Sequence, residues 1–145
     1  MKVRQISASD TRLIRSQMLR PGRDLSSCIF NDDEREQTLH LGAFMDKRLV
    51  SIASFYFNKN LSFDTPNQYQ LRGMATLPEF QKQGLSRELL KFGFPLIQRN
   101  FCHLVWCNAR LSARGFYETV GFKAIGDTFD IPDVGPHQLM YKELN

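Results

Sequence analysis

The segment from Leu71 to Leu90 constrains the fold more than any other stretch of the chain. Leu71–Leu77 reads as a strand, Pro78 opens a turn, and a glycine-centred loop, Gln81-x-x-Gly84-x-Ser86, leads into a helix. From Leu85 the apolar residues Leu89, Phe92 and Leu96 recur at steps of four and three, widened by Leu90, Gly93 and Ile97. That stripe belongs to a helix laid against a sheet. Phe101–Asn108, with Leu104, Val105 and Trp106, then reads as a buried strand. A strand–helix–strand crossover in mid-chain demands a sheet covered by helices, in an α/β or α+β architecture. The loop also carries chemistry. A helix start exposes unpaired backbone N–H groups, a natural anion cradle. Lys82 and Arg87 flank it, where the helix dipole alone favours acids by roughly 0.3–1 kcal/mol. A bound diphosphate reverses that preference.

The flanking elements fit the same plan. Val3–Ile6 alternates as a first strand. Ser7 or Ser9 is positioned to cap a helix over about Asp10–Leu19, with Leu13, Ile14 and Met18 facing inward. Pro21-Gly22 ends it, and Arg20–Gln37 is polar and irregular, a rim for a pocket or a plain surface loop. Thr38–Met45 and Arg48–Phe57 form a hairpin about Asp46-Lys47, and a loop marked by Pro66 precedes the strand Tyr69–Leu77. Pro95 predicts a bend or an early end to the central helix. Ala113, Phe116, Tyr117 and Val120 define a further amphipathic helix stopped by Gly121. Phe122–Ile125 and His137–Leu144 are the last strands. With 145 residues and neither linker nor repeat, residues 1–145 form one domain.

Charge narrows the partners. A net charge of +4 and a pI near 9.1 favour an anionic ligand. The Lys and Arg residues are scattered rather than run together, which argues against nucleic acid. No apolar run approaches a membrane span, and the N-terminus lacks a signal-peptide core, so no membrane partner is expected. Cys28, Cys102 and Cys107 are odd in number and lack metal-ligand spacing, which predicts free thiols in a reducing cytoplasm and no metal site.

These motifs resemble the GNAT superfamily of N-acetyltransferases. The family signature, Gln/Arg-x-x-Gly-x-Gly/Ala between strand and helix, is matched by Gln81-Lys82-Gln83-Gly84-Leu85-Ser86, with serine in the last small position. A second match is Asn108 at a strand end followed by Gly115-Phe116-Tyr117-x-x-x-Gly121-Phe122. A third is the closing segment Asp130-Ile131-Pro132-x-x-Gly135-Pro136-His137-x-x-Met140, and the likeness covers Leu71–Met140. The resemblance implies a single GNAT-like domain with a central, mixed, mostly antiparallel twisted sheet of six or seven strands flanked by helices. A splayed parallel strand pair would form the cofactor slot. It also implies transfer of an acetyl group from acetyl-CoA to a primary amine, on a small molecule or on a peptide or protein, by direct attack in a ternary complex. The alternative is a non-catalytic acyl-CoA sensor acting through a protein partner. Exposed sheet edges in such folds often pair, which leaves a homodimer open.

By the same resemblance, the backbone of Gln83, Gly84, Leu85 and Ser86, with Gln81, Lys82 and Arg87, holds the cofactor's diphosphate. Met74, Ala75 and Thr76 pair with its pantetheine arm and steady the thioester oxygen, and Asn108 contacts the amide arm. Tyr117 is the candidate acid for the leaving thiolate. His137, His40, Glu79 and Asp130 are candidate bases for the amine, with His137 ranked first. Asp64, Asp130 and Asp133 are loop acids able to attract a cationic acceptor.

Overall fold

The computed structural model describes residues Met1–Asn145. Its elements run β1 (Lys2–Gln5), α1 (Ala8–Met18), β2 (Leu39–Met45), β3 (Arg48–Phe57), β4 (Tyr69–Thr76), α2 (Leu85–Arg99), β5 (Leu104–Arg110), α3 (Arg114–Thr119), β6 (Lys123–Ile131) and β7 (Gly135–Glu143). The strands form one seven-stranded sheet in the order β1-β2-β3-β4-β5-β7-β6. All neighbours are antiparallel except β4 and β5, which are parallel because α2 carries the chain across between them.

Strand alternation separates the helices onto opposite faces. Leu41 of β2 and Phe55 of β3 meet α2 at Gly93, where a Cβ would come within 2.9 Å of the Phe55 ring. Any side chain there would push the helix off the sheet. The intervening residues Ser54 and Tyr56 point to the other face and contact Arg15 of α1. The main core, including Leu41, Ile52, Phe55, Leu89, Ile97, Val105 and Met140, fills the layer between sheet and helices.

Several expectations are corrected. Helix α1 starts at Ala8, with Ser7 and Asp10 forming a reciprocal capping box. Its inner face is Ala8, Thr11, Ile14 and Arg15, while Leu13 is 67% exposed. The buried arginine shifts the helix's inner face away from the apolar count. Helix α2 continues through Pro95 to Arg99, and Phe92 is 38% exposed because the buried stripe is Leu85, Leu89, Leu90, Gly93 and Ile97. Strand β5 begins at Leu104, three residues late, because Phe101 turns at φ +62° and is exposed. Strand β6 extends to Ile131, well past Ile125, with a bulge: Ile125 faces Leu139 and Phe129 faces His137. The Gln138 amide donates to the carbonyls of Ile125 and Gly126, both at 2.9 Å, holding that bulge closed.

Candidate functional site

The site begins where β4 and β5 part. They share only two register pairs, Tyr69 with Val105 and Gln70 with Trp106, although β4 runs on to Thr76 and β5 to Arg110. A bulge in β4 accompanies the separation. Ser54 faces Arg72 and Ile52 faces Ala75, so Gly73 and Met74 together oppose Ala53. Gly73 sits at φ +64°, and a Cβ there would lie 3.2 Å from the Phe30 ring. Both facts favour glycine. Gly73 is a site-shaping residue that the sequence reading missed; the signal available was a glycine inside a strand pattern.

Between the diverging strands lies a cleft of about 890 Å³. Of the residues singled out in the sequence, Met74, Gln81, Asn108, Tyr117 and His137 line it together. Ala75 is buried and Thr76 is tied by its hydroxyl to Ser51 (2.7 Å) and Ser86 (3.4 Å). Beyond Thr76 the loop from Lys82 to Arg87 stands at the start of α2. None of the backbone N–H groups from Lys82 to Arg87 has an acceptor within the protein; the first to find one is Glu88, which donates to the Gly84 carbonyl at 3.1 Å. Left-handed Lys82 (φ +61°) and Gly84 (φ +82°) curl this run of donors. Gln81 turns its side-chain amide back to the Thr76 carbonyl at 3.0 Å, and so braces the loop against β4. The Leu85 side chain is buried in the core, so only its acceptor-less N–H is left to this run of donors.

Tyr117 and Cys107 form one wall. The Tyr117 ring is held edge-on by Phe116 and Phe122, each with centroids 5.3 Å away. Its hydroxyl has no hydrogen-bond partner in the protein and opens into the cleft. Burial first, and then the neighbouring Cys107, pushes the phenol well above its ordinary value, so it stays protonated across the physiological range. Burial also pushes the Cys107 thiol up to about 12, which removes it as a nucleophile near neutrality.

The two candidate histidines differ in one decisive way. His137 places Nδ1 2.7 Å from the Gly135 carbonyl, which can only accept, so Nδ1 carries the proton and Nε2 keeps its lone pair. Nε2 has no protein partner, and the ring stacks on Phe129 at 6.0 Å beside the cleft. His40 has both nitrogens engaged. Nε2 donates to the Asp33 carbonyl at 2.9 Å and Nδ1 accepts from Ser54 Oγ at 2.7 Å. Buried and saturated, it is a framework residue. Glu79 is exposed and ion-paired to Arg48 at 3.4 Å. Asp130 is exposed on β6, and neither it nor Asp64 nor Asp133 lines the cleft. Of the four candidate bases only His137 faces the cleft.

What lines the far end is cationic. Arg20, Arg72 and Arg110 all border the cleft, and none takes part in an ion pair. Burial, then the charges of Arg23, Arg72 and Arg110, draws Arg20 below the usual guanidinium value. A fourth arginine, Arg15, is fully buried and differs in being neutralised. Its guanidinium donates to both Asp33 carboxylate oxygens (2.7 and 3.1 Å), to the Cys28 carbonyl (2.9 Å), to Ser54 Oγ (3.0 Å) and to the Tyr56 hydroxyl (3.1 Å). Burial works to raise the Asp33 carboxyl, but donations from Arg15, Tyr56 and the Phe30 N–H outweigh it, and the group is held below the usual carboxylate range. This network ties the segment between α1 and β2 to the sheet beneath the bulge. No cluster of three or more His, Cys, Asp or Glu side chains is placed to hold a metal ion.

Comparison with known proteins places this geometry. A family model described as an acetyltransferase (GNAT) domain matches residues 23–143. An uncharacterized N-acetyltransferase, YitI, of Bacillus subtilis (strain 168) is 39% identical over 144 residues, covering 99% of this chain and 97% of that protein. Among solved structures, an aminoglycoside 6'-N-acetyltransferase complexed with coenzyme A superposes with a TM-score of 0.79 at 12% identity, over 99% of this chain and 97% of the other. The ribosomal-protein-S18-alanine N-acetyltransferase of Escherichia coli superposes with a TM-score of 0.76 at 17% identity, over 99% and 94%.

Proposed function

The chain belongs to the GNAT acetyltransferase family, and from that premise we propose that it transfers an acetyl group from acetyl-CoA directly to an amine that also carries an anionic group. The observation that carries the donor half is the run of six acceptor-less N–H groups, Lys82 to Arg87, at the mouth of a splayed parallel strand pair. Such a curl of donors at a helix start suits a diphosphate. Lys82 and Arg87 add charge at its rim, and Met74, Ala75 and Thr76 offer the free edge of β4 to an extended pantetheine arm, with Asn108 opposite on β5.

Bound acetyl-CoA supplies the activated acetyl thioester. His137 Nε2 takes the proton from the attacking amine nitrogen as the C–N bond forms. Backbone N–H groups at the β4 bulge meet the negative charge that develops on the carbonyl oxygen. As the C–S bond breaks, the electron pair goes to sulfur and Tyr117 gives it the phenolic proton. A raised phenol is a poor acid in water, but a thiolate forming in the same buried pocket is raised by the same cause, so the two stay matched. The buried, proton-holding Cys107 fits direct transfer without an acyl-enzyme. The three free thiols are all buried, and we place the reaction in the cytoplasm on that basis.

Arg20, Arg72 and Arg110 support the acceptor's anionic group. Three unpaired guanidiniums repel a polycation and bind carboxylate or phosphate by charge-assisted hydrogen bonds. The test is an amine panel with acetyl-CoA, following thiol release. Amines bearing a carboxylate or phosphate should turn over, and polycationic amines should not. Bound CoA with silence across the whole panel would make the protein a sensor instead. Preference for polycations would overturn the acceptor class.

A further inference from the structure

Arg72 and Arg20 lack the partners that usually hold a guanidinium in place. Arg72 takes part in no ion pair, and no side-chain hydrogen bond fixes it. Its guanidinium carbon lies instead over two aromatic rings, 4.9 Å from the centroid of Phe30 and 5.5 Å from that of Tyr56. Arg20 lies over the same Phe30 ring at 5.3 Å and bonds otherwise only to the carbonyl of its neighbour Leu19, at 3.0 Å. Arg15 is closer still, at 4.0 Å. One benzene ring therefore serves three guanidiniums, and only Arg15 has a carboxylate.

The arrangement has a physical reading. A carboxylate partner would hold an arginine by its N–H edge, occupying the donors and cancelling the charge. An aromatic face holds the flat side of the ion through its quadrupole and leaves the N–H edge and the charge available. Phe30 is itself fixed. Its N–H donates to Asp33 Oδ2 at 2.9 Å, its side chain is buried, and its edge abuts the glycine of the β4 bulge. The line of support runs from the buried Arg15–Asp33 pair through Phe30 to Arg20 and Arg72.

We propose that Phe30 is a positioning residue for acceptor recognition: its ring holds Arg20 and Arg72 in place of carboxylates, so that both remain fixed yet uncompensated for an incoming anion. This rests on the reading of the arginines as the acceptor's anion site. It makes the segment between α1 and β2, which carries no recognisable motif, part of the specificity machinery.

The test separates the two ideas. Protein saturated with CoA, so that the helix-start donors are occupied, is titrated calorimetrically with inorganic phosphate. Wild type should bind, and Arg72→Gln should bind at least about tenfold more weakly, in line with loss of a charge-assisted contact. Phe30→Leu should weaken phosphate binding by about three- to thirtyfold and raise the acceptor KM in parallel, with the KM for acetyl-CoA unmoved. Phe30→Tyr should restore both. Pentafluorophenylalanine at position 30 keeps the ring's shape and reverses its face charge, so it should behave as the leucine variant does even where leucine unfolds the loop. If wild type binds no phosphate, or Arg72→Gln binds it equally well, the anion site is wrong and this proposal falls with it. If Arg72→Gln is weakened while the pentafluoro protein matches wild type, the role of Phe30 is overturned and the anion site stands.

Discussion

Two regions beside the splayed strands offer free hydrogen-bond donors of different kinds. At the start of α2 the donors are backbone N–H groups from six consecutive residues, Lys82 to Arg87, curled by Gly84. At the other end they are side chains of Arg20, Arg72 and Arg110, drawn from a loop, a strand and a second strand. A backbone cradle is insensitive to most side-chain changes and selects for one constant group. A side-chain cradle is readily altered, so acceptor identity can change while donor binding does not. His137, the proposed base, and the buried Arg15–Asp33 pair both belong to the side-chain end, and the largest mutational effects are expected there.

His137→Ala should lower kcat by about 10²–10⁴, the ordinary worth of a positioned base, while the acetyl-CoA KM stays put. Thiol-release kinetics measure it, and a loss under about fivefold would move the base elsewhere and break the asymmetry between the ends.

Asp33→Ala strands the buried Arg15 charge and should cost about 3–5 kcal/mol in urea unfolding, with no equivalent residue at the helix-start end. The pH dependence has a definite sign. The Asp33 carboxyl is depressed in the folded protein, so its contribution is present above the ordinary carboxylate range and is lost as pH falls below that range through the folded value. Asp33→Asn should remove that acid limb of stability.

Gly84→Ala tests the backbone end, since φ +82° costs an L-residue about 1–2 kcal/mol although nothing lies within 4 Å of the new methyl. CoA binding measured by calorimetry should weaken by about tenfold at most, with the acceptor KM unchanged. A large acceptor effect would show that the two ends are coupled. Smallest of all, Arg87→Ala should change CoA affinity by about 1 kcal/mol or less, because this exposed side chain only supplements the N–H groups. A loss of a hundredfold would mean that side chains carry this end as well.

How much of this was legible follows the same division. Gln81 to Arg87 is one contiguous segment, so its glycine, its helix start and its flanking charges could be read directly. Tyr117 was singled out by the family resemblance that Gly115-Phe116-Tyr117-x-x-x-Gly121-Phe122 carries; its periodicity alone marks it only as part of an apolar helix stripe. His137 was ranked above His40 only by its place in the closing segment; what separates them is which ring nitrogens are engaged, and that depends on the Gly135 carbonyl in one case and on Asp33 and Ser54 in the other. Leu13 was misassigned because periodicity counts apolar residues and does not foresee that Arg15 would be a buried member of α1, and Phe92 because the buried stripe of α2 runs through Leu89, Leu90 and Gly93 instead. The acidic loop residues suggested a cationic acceptor, yet the cleft is lined by arginines whose proximity spans ninety positions of sequence, from Arg20 to Arg110.

The sequence by itself determined the crossover, the helix-covered sheet and the glycine-turned helix start with its free N–H groups, because each depends on hydrogen bonds and apolar spacing between residues near one another in the chain. Only the tertiary structure decided where β4 leaves β5, which histidine keeps a free nitrogen, and which arginines stay unneutralised. Those depend on which distant groups come within a hydrogen bond of one another once the core has closed, and no local pattern records that.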